Sequence, residues 1–450
     1  MAAILPRGNG TRDSALTSME FRDAIEKDAE DLHTLADRAA AASGHGDFLP
    51  RPIVSGNDWL NQERQLDAAA MTLRRNWLRV AHRPGDATLK SPRAGHVAHV
   101  ACGSDVSFGY ERDIDASLLE QRKGYLRAPA GRSADLVLFR SGQAALACLV
   151  HFAAAQWGKS DPLTVAHAGT YFETASLLAS WPQRMIRQID DAEAAADIVI
   201  AEPVWCDGQF GCGERLPKAR HALLLDITMS GPTYDLAPHL DDRPLVIAYS
   251  SGLKLDQAGL ELANVGIVRV LASDGTKEVG TALRKLRGLT GSGLTLDELS
   301  ALSAPWFMDR AYADRYTAAI FANNRALAQA IGTHSPVFGA RCHPSLIDPA
   351  AEAPFCALTL NEHSPERYRA LEARVAQECE RRGLLAVKGG SFGFRGHRFE
   401  LIEPGPGQGD PFLRIAMGWR DGHSCRGLGE LLGELANHKS FETLDRAYGR

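Results

Sequence analysis

The sequence lacks three features that would each define a protein class: an excess of positive charge, a long apolar run and clustered cysteines. Its 450 residues carry 50 Lys plus Arg against 55 Asp plus Glu, a net charge of -5, so no electrostatic term favours nucleic acid or an anionic membrane surface. No stretch approaches the roughly twenty apolar residues of a membrane helix. Met1-Ala-Ala-Ile-Leu-Pro-Arg7 turns polar at Gly8-Asn9-Gly10, too soon for the apolar core of a signal peptide. The eight cysteines form no Cys-x-x-Cys pair and none stands at zinc-finger spacing from a histidine, which argues for thiols in a reducing compartment and against a structural metal. A phosphate-binding Gly-x4-Gly-Lys-Ser/Thr loop is also missing. What remains is the expectation of a soluble cytoplasmic protein that acts on a small molecule.

What is present falls into three textures. Helical spacing runs over Phe21 to Ala42 and Trp59 to Val80, separated by the breaker-rich Ser43 to Gly56. From about 134 come short apolar runs: Leu136 to Phe139, Leu163 to Ala166, Ile198 to Ala201, Ala222 to Leu225, Leu245 to Ala248 and Val265 to Val268. Their continuous apolarity predicts strands buried on both faces. The Ala- and Leu-rich stretches Gln143 to Gln156 and Phe172 to Leu178 between them predict the βαβ rhythm of a mostly parallel sheet. After about 305 the pattern changes to helix-like Ala311 to Ile331 and Ser364 to Arg382, strand candidates at Phe355 to Leu360, Leu385 to Val387 and Leu413 to Met417, and a final helix. The expected division is an N-terminal helical arm (1–104), a large cofactor domain (105–305) and a smaller α+β domain (306–450).

In an open parallel sheet, ligands bind beyond the carboxyl ends of the strands. After Leu136 to Phe139 comes Arg140-Ser141-Gly142-Gln143, a small-residue turn that opens a helix and could offer backbone N–H groups to a phosphate. Asp226-Ile227-Thr228 follows Ala222 to Leu225, and Tyr249-Ser250-Ser251-Gly252-Leu253-Lys254 follows Leu245 to Ala248. A lone loop lysine is ordinarily a solvated charge. A helix cap, a strand-end Asp and a Ser-x-x-Lys in that order are the arrangement that holds a phosphorylated pyridine aldehyde, with the phosphate on the cap, Asp226 on the pyridine nitrogen and Lys254 as the Schiff base. Further on, Lys388-Gly-Gly-Ser391-Phe-Gly393 reads either as a plain turn or as one that could supply backbone N–H groups to a substrate carboxylate beside Arg414.

In these residues the chain resembles the fold-type I pyridoxal-phosphate enzymes, and among them the cystathionine γ-synthase and γ-lyase family of Cys/Met metabolism, over roughly residues 105 to 435. Ser141-Gly142-Gln143-Ala144-Ala145 is similar to the family's Ser-Gly-Met-Ala-Ala phosphate loop, and Ala168-Gly169-Thr170-Tyr171 to its Gly-Gly-Thr-Tyr. Asp226-Ile227-Thr228 resembles Asp-Asn-Thr, and Ser251-Gly252-Leu253-Lys254 resembles Ser-Ala-Thr-Lys. Tyr110-Glu111-Arg112 looks like the Tyr-x-Arg that reaches the phosphate of a neighbouring subunit, and Leu413-Arg414-Ile-Ala-Met-Gly418 like the segment whose arginine grips the substrate α-carboxylate.

The resemblance implies pyridoxal 5'-phosphate as cofactor, a seven-stranded sheet flanked by helices, and a homodimer or tetramer with shared active sites. It implies Lys254 as the base at Cα and Tyr110 as a second acid/base. The reaction it implies is β/γ-elimination or γ-replacement on an L-amino acid. Departures at His167, which stands where the family has its ring-stacking aromatic, at Leu253 and at Cys206 point to a specialised substrate. A γ-substituted or γ-halogenated amino acid of secondary metabolism, giving an unsaturated or alkynyl side chain, is one such substrate. Either His167 or Tyr171 then stacks on the ring. An aminotransferase needs the same Lys, Asp and Arg, but carries Met229 where a tyrosine is usual; a non-catalytic pyridoxal-phosphate-binding regulator on the same fold is the other alternative.

Overall fold

The computed structural model describes residues 10–82, 90–122, 124–126, 128–129, 131–158, 161–189, 195–212, 216–240, 245–273, 275–404 and 410–448. The leader reading on Met1 to Asn9 lies outside them. Two long helices, α1 (Gly10–Ser43) and α2 (Trp59–Ala81), are followed by a small ladder, β1 (Ala98–His99) with β2 (Asp105–Val106), and by the short α3 (Ser117–Glu120). Then come β3 (Ser133–Phe139), α4 (Gly142–Trp157), β4 (Leu163–Ala168), α5 (Phe172–Ala179), β5 (Ile186–Ile189) and β6 (Ala196–Ala201). A hairpin of β7 (Val204–Cys206) and β8 (Phe210–Cys212) precedes β9 (Ala219–Asp226), β10 (Leu245–Ser251) and β11 (Gly266–Ala272).

These strands assemble a seven-stranded sheet in the order β3-β11-β10-β9-β6-β4-β5. β11 runs antiparallel to both β3 and β10, and every other pair is parallel. The expected mostly parallel α/β sheet flanked by helices is therefore the sheet observed. Its central strands are buried on both faces, β11 along its whole length, as continuous apolar runs require. β5, missed in the sequence, is the edge strand: Ile-Arg-Gln-Ile exposes its two polar residues and has no continuous run to betray it.

The chain continues through α6 (Thr276–Thr290) and α7 (Leu296–Leu302), joined by a short glycine-containing turn, with Thr295 and Glu298 forming a capping box at the start of α7. Beyond them lie α8 (Arg310–Ile331), β12 (Cys356–Leu358), α9 (Pro365–Arg382), β13 (Ala386–Lys388), β14 (His397–Ile402), β15 (Phe412–Ala416), α10 (His423–Ala436) and α11 (Phe441–Tyr448). The second sheet has the order β12-β15-β14-β13. The single final helix expected from the sequence is two, and β14 escaped notice because His-Arg-Phe-Glu-Leu-Ile has no apolar run of strand length.

The arm is not a loose appendage. Leu32 and Leu35 of α1 and Leu66, Leu73 and Trp77 of α2 share one core with Leu299, Trp306 and Tyr316. The Trp77 indole Nε1 donates to Ala301 O at 2.7 Å, and its ring lies 5.7 Å from that of Trp306. Trp77→Ala is expected to cost about 3–5 kcal/mol, the usual range for emptying a buried aromatic site. Urea unfolding checks it, and a change below about 1 kcal/mol would mean that the arm contributes little to the fold.

Candidate active site

The carboxyl ends of β4, β6, β9 and β10 meet on one edge of the large sheet, and hydrogen bonds tie their extensions together. Asp226 ends β9, paired in register with Tyr249 of β10. Its Oδ1 accepts from the Thr228 backbone N–H at 2.9 Å, while Thr228 Oγ1 accepts from the Ser251 N–H at 3.1 Å. Ser251 O accepts from the Lys254 N–H at 3.4 Å. Ser141 caps α4 by accepting from the Ala144 N–H at 3.1 Å. The next residue, Gly142, lies against Ser251, where an added Cβ would stand in ordinary contact, 3.5 Å from the Ser251 nitrogen. The helix cap, the carboxylate and the lysine loop singled out in the sequence thus form one connected unit. Gln143 lies half-buried in the first turn of α4.

Lys254 is mostly desolvated. Its Nζ donates to Ser391 Oγ and stands 5.3 Å from the centre of the Phe392 ring. Burial lowers its pKa first and the Arg414 guanidinium adds to this, against the pull of Glu173 and Glu261. Asp226 is pushed the other way: burial raises its carboxyl to about 6, against the Thr228 hydrogen bonds, with Glu202 adding to the rise. Burial thus disfavours the charged form of both the amine and the carboxyl, shifting their pKa values toward each other.

His167, on β4, points its Nε2 into the same region, buried, without a hydrogen-bond partner and 3.8 Å from Glu202 Oε1. Glu202 accepts from the Tyr171 N–H at 2.9 Å and fills the space where a Cβ on Gly169 would stand. Tyr171 donates its hydroxyl to Glu173 at 2.7 Å; burial raises its pKa, and Asp226 and Arg414 both act on it. Thr170 Oγ1 and the Tyr249 hydroxyl are further buried polar atoms without hydrogen-bond partners. Cys206 lies in an apolar cluster with Phe355 and Phe392, its thiol pushed up to about 12 by burial, which keeps it protonated.

Arg414 belongs to β15 and faces the site from the second sheet. Its Nη2 pairs with Glu400 on β14, directly opposite in register, and its guanidinium stands 5.6 Å from the Phe355 ring centre. Tyr110 and Arg112 stand apart at the surface. They stack on each other at 5.0 Å beside the end of α6, and among the described residues no contact brings them to Lys254. Gly389-Gly-Ser391-Phe-Gly393 spells the Gly-x-Ser-x-Gly of a hydrolase elbow, yet it joins β13 to β14 instead of opening a helix, which is the context that elbow needs.

Sequence reasoning missed Glu202, Tyr249 as a buried hydroxyl, and Glu400. Glu202 had a signal, since it directly follows the apolar run Ile198 to Ala201, as Asp226 follows its own. Glu400 had none, because the pair with Arg414 depends on strand register. Among the described residues no group of three or more His, Cys, Asp or Glu side chains could hold a metal ion, and no helix is long and apolar enough to cross a membrane.

Compared with protein-family models and with curated proteins, the sequence matches none. Solved structures are similar in fold. A methionine gamma lyase from Micromonospora echinospora is 17% identical, with 79% of this chain and 96% of that chain covered and a TM-score of 0.51. A cystathionine gamma synthase from Xanthomonas oryzae pv. oryzae, in complex with aminoacrylate and cysteine, is 16% identical over 80% of this chain and 99% of that chain, at a TM-score of 0.50. At such identity the likeness establishes the fold and leaves the chemistry to the site.

A carboxyl whose folded pKa is raised stabilises the fold fully below its unfolded value near 4 and loses that stabilisation as pH rises through about 6. Asp226→Asn should therefore stabilise the ligand-free protein at pH 7.5 by about 1–3 kcal/mol, with no such gain at pH 4. Urea unfolding at the two pH values reads the difference, and equal effects at both would refute it.

Proposed function

We propose that this chain is a pyridoxal-phosphate-dependent enzyme that performs β/γ-elimination or γ-replacement on an L-amino acid. The observation that carries the reading is Lys254: a desolvated amine, hydrogen-bonded to Ser391 and joined through Ser251 and Thr228 to a buried strand-end carboxyl and to the N-terminus of α4. The residues fit the cofactor. Gly142 lies against Ser251 with no side chain between them, His167 Nε2 and Thr170 Oγ1 are buried without partners beside the acid, and the first turn of α4 presents backbone N–H groups. Ser141, Gly142, Gln143 and Ser251 would hold the phosphate, Asp226 the ring nitrogen, His167 and Tyr171 the ring faces, and Lys254 the aldehyde carbon.

When bound, pyridoxal phosphate supplies an electron-withdrawing ring that stabilises negative charge at the α-carbon of an attached amino acid. The chain's own residues then divide the work. Lys254, its protonation disfavoured by burial and by Arg414, accepts the α-proton at Nζ and returns it at a later step. Ser391 orients that amine. Arg414 receives the α-carboxylate, and Asp226, whose burial favours its protonated form, shares a proton with the ring nitrogen. Tyr110 and Arg112, exposed in the single chain, would complete the site of a second copy, with Tyr110 as an additional acid/base. This makes a homo-oligomer the working unit.

Support for a specialised substrate, such as a γ-substituted or γ-halogenated amino acid, comes from His167, which stands where the resembled family has its ring-stacking aromatic, and from the Glu400 partner of Arg414. Met229, packed in the apolar cluster with Phe210 and Phe355, offers no hydroxyl to the ring, which disfavours an aminotransferase.

The test is the visible spectrum of the purified protein with pyridoxal phosphate, before and after borohydride, with peptide mapping of the reduced adduct. The adduct is expected on Lys254, and Lys254→Ala should abolish it together with ammonia release from L-cystathionine, L-methionine or a γ-chloro amino acid. A label on another lysine sinks the assignment. Transfer of the amino group to 2-oxoglutarate without ammonia release would replace it with an aminotransferase.

A further inference from the structure

Ser391 occupies the left-handed region at φ 72° without being a glycine, a conformation that is disfavoured for a residue with a side chain and persists only where the surroundings impose it. The imposed geometry puts its hydroxyl on Lys254 Nζ. Two residues on, Gly393 (φ 83°) passes so close to the Lys254 carbonyl oxygen that any Cβ there would clash with it. The segment 389–396 is therefore the part of the second sheet's scaffold that abuts the lysine.

What holds this segment lies far from the amine. Gly393 O accepts from the Tyr316 hydroxyl at 3.1 Å, and Phe394 O accepts from the Trp419 N–H at 3.1 Å. The Tyr316 ring is fully buried, stacked 5.3 Å from Trp419 and 5.9 Å from Tyr312. Arg395 is buried on two acids of α1, paired with Asp28 and bonded to Asp31 Oδ2 at 2.9 Å. Arg420 Nε bonds the same Asp28 at 2.8 Å, and Tyr312 donates to Asp31 at 3.0 Å. Burial would raise the Asp28 carboxyl, but the two guanidiniums hold it below the ordinary range. Buried ion pairs are weak sources of stability, and their best-attested role is to fix one arrangement.

We propose that Tyr316 and the Asp28–Arg395–Asp31 cluster are positioning residues for Lys254, so that the N-terminal helix α1 fixes the environment of an amine it does not touch. The route is physical: α1 holds Arg395, Arg395 and Tyr316 hold the backbone at 393–395, and that backbone sets Ser391 on the amine. Of the groups that act electrostatically on Lys254, Arg414, Glu173 and Glu261 lie outside this route, whereas Arg398 donates to Gly390 O at 3.0 Å and stands 3.5 Å over the Phe394 ring, so the segment positions one charge as well as the Ser391 hydroxyl. The proposal rests on Lys254 as the reactive amine, and its test uses the cofactor-free protein so that the two can fail separately.

Tyr316→Phe removes one hydroxyl and keeps the stacked ring. Two readouts are taken beside thermal unfolding: hydrogen exchange of segment 389–396, and the pH profile of Lys254 acetylation followed by peptide mapping. The expected result is exchange in that segment faster by about tenfold, with the acetylation midpoint moved upward toward that of an ordinary lysine. Ser391→Ala should move the midpoint without loosening the segment. Asp31→Asn, which keeps the shape of the side chain, is read in the same way should Tyr316→Phe fail to fold. A loosened segment with an unmoved Lys254 profile, or a segment whose exchange does not change, overturns the proposal.

Discussion

The contact of two backbones, the Lys254 carbonyl against Gly393, is the constraint on which the site depends. Lys254 lies just past β10 of the large sheet, while Gly393 belongs to the connection into β14 of the small one. No side chain fits between them, so the two sheets can approach only where position 393 is glycine in a left-handed conformation. A second contact, Gly142 against Ser251 at ordinary packing distance, brings the helix cap to the lysine loop within the large sheet. These two junctions turn three sequence-distant segments into one pocket edge.

The charges gathered there are held at a cost that the rest of the molecule offsets. Asp226 and the Tyr249 hydroxyl are raised by burial and Lys254 is lowered by it, so each sits where its charged form is disfavoured. Away from the site, buried charges are paired instead. Arg284 and Arg287 both bind Glu120, Arg284 also binds Asp135, and Arg395 and Arg420 share Asp28. The contrast separates structural from functional ionisation: a paired charge stabilises a position, whereas an unpaired desolvated one is available to a ligand.

The same distinction explains what could be read in the sequence. The runs Ile198 to Ala201, Ala222 to Leu225 and Leu245 to Ala248 announce themselves because a strand buried on both faces needs continuous apolarity, and the polar residues directly after them are the ones the structure links at the sheet edge. Ser391 was legible as a residue facing the site, though as a backbone donor; the structure makes its hydroxyl the partner of Lys254. The depth at which α1 is built in was not legible. Asp28 and Asp31 look in sequence like the solvated face of an amphipathic helix, and their partners Arg395 and Arg420 are more than 360 residues away.

Glu400 shows how register creates chemistry that composition hides. A guanidinium buried with no counter-charge would be strongly disfavoured, and burial does lower the pKa of Arg414, against the pull of Glu400. The carboxylate opposite it on β14 lets Arg414 stay charged before any ligand arrives, yet it takes only Nη2 of a side chain that has five N–H donors. In the role proposed for Arg414, an incoming carboxylate would meet a cation already desolvated and already oriented, and would need to supply only the hydrogen bonds that Glu400 leaves open. The attraction it gains is reduced by the negative charge that stays beside it. On that proposal, binding would not rest on this one ion pair, and the burden of recognition would fall on the rest of the substrate.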